Sequence, residues 1–81
     1  MLKPVPSLLN IVFSYAEITR TTTAGITWYM QAARRSTGFE SLVRKEIAYG
    51  IYIGWQTLVE FHSNQATYLS DDVRLKALLI L

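Results

Sequence analysis

Apolar residues recur three and four positions apart along most of this chain, which predicts helices throughout. Met1 to Pro6 carries two prolines and reads as an extended lead-in, without the ending of a conventional signal peptide. Ser7 is placed to cap a helix starting at Leu8. Leu8, Leu9, Val12, Phe13 and Ala16 line one side of it; Ser7, Asn10, Ser14, Glu17 and Thr21 line the other. Thr21-Thr22-Thr23 predicts a weak or kinked section, because β-branched side chains lose rotamer freedom in a helix. The period resumes from Ala24 to Arg35, with Ile26, Tyr29, Met30 and Ala33 opposite Thr27, Gln31 and Arg34. Ser36-Thr37-Gly38 then breaks the pattern, and Ser41 is placed to cap the next helix.

The longest apolar stretch runs from Glu46 to Ser70, where Glu60 is the one formal charge between Glu46 and Asp71. Ile47 to Ser70 is twenty-four residues, about 36 Å as an α-helix, enough for a hydrocarbon core of about 30 Å. Its uncharged part, Ile47 to Val59, is thirteen residues and about 20 Å, so a span requires Glu60 inside or near the far headgroups. Gly50 and Gly54 lie one turn apart, a spacing that lets another helix approach closely in a membrane. Extended, the strip takes in Glu46, Gly50, Gly54, Thr57 or Leu58, and Phe61. In a soluble bundle the same glycines mark a tight helix crossing. Beyond it, Ser70 is placed to cap a short helix, with Asp71 and Asp72 complementing its N-terminal dipole. The predicted organisation is therefore all-α. An amphipathic helical segment over 1–35 and a linker over 36–40 precede a transmembrane helix over 41–69 with its GxxxG motif; a tail helix over 70–81 follows.

Composition narrows the chemistry. Of the 81 residues 51% are hydrophobic, more than so short a chain can bury alone, which points to lipid or partner subunits as cover. There is no Cys, and His62 is the single His, so thiolate sites and a multi-histidine metal site within one copy are excluded. No catalytic constellation, glycine-rich phosphate loop, metal set or cofactor site is legible, and an enzyme is not expected. Arg34, Arg35, Arg44 and Lys45 precede the apolar stretch and put the N-terminal side on the cytoplasm-like face of a membrane. With Trp28 they form candidate contacts for lipid headgroups. Two basic dipeptides on so apolar a chain are a weak footprint for nucleic acid, which is not expected as a partner.

The ordered set Pro6-Ser7-Leu8-Leu9-Asn10, Trp28-Tyr29-Met30, Thr37-Gly38-Phe39 and Lys45-Glu46 leading into the Gly50 helix resembles subunit g of the mitochondrial ATP synthase. The likeness covers roughly residues 4 to 61. It implies matrix-side amphipathic helices, one membrane helix packed through its glycines against subunit e, and location in the mitochondrial inner membrane with the N-terminus in the matrix. It also implies a structural role in dimer assembly and cristae curvature, with a bound phospholipid such as cardiolipin. In this register the family's intramembrane acid falls on Gln56, and Glu60 stands one turn later. Two other readings compete: an accessory subunit of another respiratory membrane complex, and a small soluble helical binding module.

Overall fold

The computed structural model describes residues 14–59 and 65–80, and nearly all of these are α-helical. Helix α1 is Tyr15–Arg34, α2 is Gly38–Val59 and α3 is Gln65–Ile80. All three pack on one another. Gly25 meets Ile51 while Thr19 meets Trp55, so α1 and α2 run antiparallel. Tyr52 meets Asp72 while Trp55 meets Tyr68, so α3 turns back again. The result is an up-down-up three-helix bundle.

Each helix has a local cause. The Ser14 side chain accepts from the Glu17 amide at 3.1 Å and caps α1, with Glu17 favourable in the first turn. Thr19, Thr22, Ile26, Met30 and Ala33 then fall on the buried side. The expected weakness at Thr21-Thr22-Thr23 does not materialise, since α1 runs unbroken through it. The Thr23 hydroxyl donates to the Thr19 carbonyl at 2.8 Å, and tertiary packing on Thr19 and Thr22 outweighs their modest propensity cost.

The break between α1 and α2 is shorter than the expected linker over 36–40, because Gly38 already opens α2. Gly38 has φ +61°, a left-handed value that costs other residues about 1–2 kcal/mol. Ser41 is not the cap: its hydroxyl lies within α2 and donates to the Ala33 carbonyl at 2.9 Å. Ser36 likewise donates to the Ala32 carbonyl. The first turn of α2 thus satisfies the open carbonyl end of α1.

The transmembrane expectation over 41–69 is corrected. Among the described residues no helix is long and apolar enough to cross a membrane. Glu40, Arg44, Lys45 and Glu46 occupy the first turns of α2, and only thirteen uncharged residues follow, the last of them Val59. The tail helix also differs, beginning at Gln65 with Ser70 in its interior rather than at its cap. The candidates Glu60 and Phe61, and His62, lie outside the described residues. The helix expected from Leu8 through Thr21 is corrected within them, because Ser14 is extended (ψ 161°) and caps α1 where that helix would have had its interior.

Ile26, Met30, Ala48, Tyr52, Trp55, Val59 and Leu75 form the core. Leu75 is fully buried and Val73 is 69% exposed, two positions apart on one helix. Leu75→Ala should lower stability by about 2–5 kcal/mol, and Val73→Ala by no more than about 0.5 kcal/mol, in urea melts followed by circular dichroism. Gly38→Ala should cost about 1–2 kcal/mol from its backbone alone, since nothing lies within 4 Å of the added Cβ.

Candidate interaction surface and the polar seam beneath it

Helix α2 has two faces with inverted character. The inward face carries Ala48, Tyr52, Trp55 and Val59, and with Gln56 beside them it supplies a polar seam to the neighbouring helices. The outward face carries Phe39, Val43, Ile47, Gly50, Ile53, Gly54, Thr57 and Leu58, with the charge of Glu46 one turn before Gly50, all exposed. These recur at three- and four-residue spacing and make a continuous stripe along the helix.

The two glycines sit near the centre of that stripe. Among the described residues nothing lies within 4 Å of a Cβ added at Gly50 or Gly54. They therefore serve no helix crossing within the described bundle, and the strip they form faces outwards. Gly25, by contrast, faces Ile51, 3.4 Å from where its Cβ would stand. Thr57 keeps its hydroxyl in the helix by donating to the Ile53 carbonyl at 3.0 Å, which leaves its methyl for the surface. Phe39, at the start of the stripe, is 79% exposed.

The seam beneath is fully paired. The Trp55 indole N–H donates to the Thr19 hydroxyl at 2.8 Å. The Tyr52 hydroxyl donates to Asp72 at 2.5 Å, and Gln56 donates to Tyr52 at 2.9 Å and to Asp72 at 3.3 Å. Lys76 completes the carboxylate's partners at 3.2 Å. One helix over, Tyr15 donates to Asp71 at 2.6 Å. Asp71 and Asp72 are thus acceptors for two tyrosines, in place of the dipole role expected of them. Gln56, at the position where the resemblance puts an acid, hydrogen-bonds to one instead.

The basic candidates separate. Arg34, Arg35 and Lys45 are exposed, and Trp28 is exposed with its ring edge-on to Tyr29 at 4.8 Å. Arg44 is committed to the corner, donating to Ser36 at 2.7 Å and pairing with Glu40 at 2.9 Å. Sequence reasoning missed the tyrosine–aspartate pairs, because partners 20 and 56 residues apart leave no local signal. Among the described residues no cluster of three metal-ligating side chains occurs.

No protein-family model, curated protein or solved structure matches the chain.

Burial raises the proton affinity of Asp72, but the hydrogen bonds from Tyr52, Lys76 and Gln56, with the Lys76 charge, outweigh it and hold the carboxyl below its ordinary 3.8. That stabilisation is complete above the unfolded-state value and disappears as pH falls through the lower folded value. Burial, then the Asp71 hydrogen bond, pushes Tyr15 from 10.0 up to about 12. Its neutral form is favoured in the fold, so stability should fall as pH rises from about 10 to about 12. Urea melts across pH should show both limbs, with Asp72→Asn weakening the acid limb and Tyr15→Phe the alkaline one. Unchanged limbs in both variants would refute the assignment.

Proposed function

We propose that this chain is a non-catalytic structural subunit that joins a larger assembly through the outward face of α2. The observation that carries the reading is the open Gly50–Gly54 strip within an exposed apolar stripe. Glycines cost a helix about 1 kcal/mol each relative to alanine, and here they relieve no contact inside the described bundle. Close approach of a helix from another chain gives that cost a purpose.

In the finer reading the assembly is the membrane region of the mitochondrial ATP synthase and the role is that of subunit g. The support is the ordered sequence likeness, together with a glycine strip that faces outwards. The chain then resides at the inner membrane by docking on its partner, without a crossing of its own among the described residues, and subunit e supplies the opposing helix. Its work is to support dimer or row assembly and membrane curvature. Arg34, Arg35, Lys45 and Trp28 are available to anionic headgroups such as those of cardiolipin. No chemistry and no cofactor enter this role, and nucleic acid has no part in it.

The glycines allow a test in which stability and assembly move in opposite directions. Gly50→Ala and Gly54→Ala should each stabilise the isolated chain by up to about 1 kcal/mol, since their Cβ atoms meet open space. In the assembly, Gly50→Leu or Gly54→Leu should release the chain from its partner on native gels, while Ile51→Leu should not. Subunit e among the proteins lost would support the finer reading. Normal assembly of both leucine variants would refute the docking face itself.

A further inference from the structure

Five aromatic rings form a connected array through the bundle. Exposed Tyr49 lies 6.1 Å from buried Tyr52, measured between ring centroids. Tyr52 lies 6.2 Å from Trp55, and Trp55 stacks on Tyr68 at 5.2 Å with an interplanar angle of 9°. Tyr15 reaches Trp55 at 6.5 Å from the other side. Ring packing of this kind contributes to the core, but it does not require a carboxylate at the end of each flanking tyrosine. Tyr52 has Asp72 at 2.5 Å and Tyr15 has Asp71 at 2.6 Å.

A phenol loses an electron readily only when its proton has somewhere to go. Tyr52 has an ionised acceptor already hydrogen-bonded to it. Trp55 does not, because its N–H faces the neutral hydroxyl of Thr19. Tyr49, 52% exposed, is the ring through which a solvent-borne oxidant reaches the array. Tyr52 is only 3% exposed, so a radical held there cannot couple with a second tyrosine on another molecule.

We propose that Tyr49, Tyr52 and Asp72 form a proton-coupled relay that draws a one-electron oxidising equivalent from the surface and holds it at Tyr52. The external reactant is a one-electron oxidant of the peroxyl-radical or oxidised metal-complex class. Tyr49 gives it one electron and releases its phenolic proton to water. Tyr52 then passes one electron to the Tyr49 phenoxyl, which regains a proton from water. The Tyr52 O–H bond breaks as its proton moves to Asp72, leaving a neutral phenoxyl beside a protonated carboxyl. A one-electron reductant of the ascorbate class restores the phenolate electron, and Asp72 returns the proton. This activity is independent of the docking role of α2.

The probe is tris-bipyridyl ruthenium(III), generated by a laser flash with persulfate as quencher, acting on the intact chain. Electron paramagnetic resonance should detect a neutral tyrosyl radical severalfold longer-lived than that of a free tyrosine peptide. Its formation should slow in D2O, because the proton leaves in the same step. Tyr52→Phe should abolish the long-lived signal and increase dityrosine cross-linking through Tyr49. Tyr49→Phe, a surface change that leaves the core packing in place, should slow formation without changing the final spectrum. The proposal is overturned if Tyr49→Phe leaves the rate of formation unchanged, or if lifetime and dityrosine yield are the same with and without Tyr52.

Discussion

The Trp55 side chain, 1% exposed, is where the three helices become one body. Its ring packs against Tyr15 of α1 and Tyr68 of α3, and its N–H ends on Thr19. An indole this deeply buried must find an acceptor for its one donor or pay a desolvation cost of about 1–3 kcal/mol. That requirement fixes the rotation of α1, because only a residue near Thr19 stands opposite the nitrogen. With α1 and α2 so aligned, Ile51 fills the space over Gly25, and Arg44 and Ser41 reach the carbonyls at the end of α1. The tyrosine–aspartate pairs then set α3 against both.

Much of the helical plan was legible from spacing. Ile26, Met30 and Ala33 lie on the buried side that the period assigns them, and the break at Ser36-Thr37 falls inside the expected linker. What the pattern concealed were decisions made between helices. The threonines at 21–23 look unfavourable when intrinsic propensity is considered alone, yet neighbouring Thr19 accepts from a tryptophan thirty-six residues away. Ser41 and Ser70 have the chemistry of caps, but Gly38 starts α2 earlier and α3 begins at Gln65. Asp71 and Asp72 carry the charge for a helix N-terminus, and their tyrosine partners are distant in sequence.

Hydropathy misled for a related reason. A window over Ile47–Val59 adds the inward and outward faces of α2 together, so it records strong apolarity without showing that one face is already packed. Tyr52, Gln56 and the Trp55 N–H belong to a hydrogen-bonded seam within the bundle. Phe39, Ile47, Ile53 and Leu58 have no such cover within the described residues. The charges of Glu40, Arg44, Lys45 and Glu46 shorten the apolar run from its other end. Length and charge together therefore limit α2 as a membrane crossing, while its composition still demands an apolar neighbour.

The two faces of α2 also explain how the chain could accept a partner without rearranging. The inward seam satisfies its own donors and acceptors, so docking on the opposite side breaks none of those hydrogen bonds. Thr57 has already turned its hydroxyl back to Ile53, which lowers the cost of covering that end of the stripe. Gly50 and Gly54 bring the backbone itself to the surface, allowing a second helix to approach closer than leucine or isoleucine would permit.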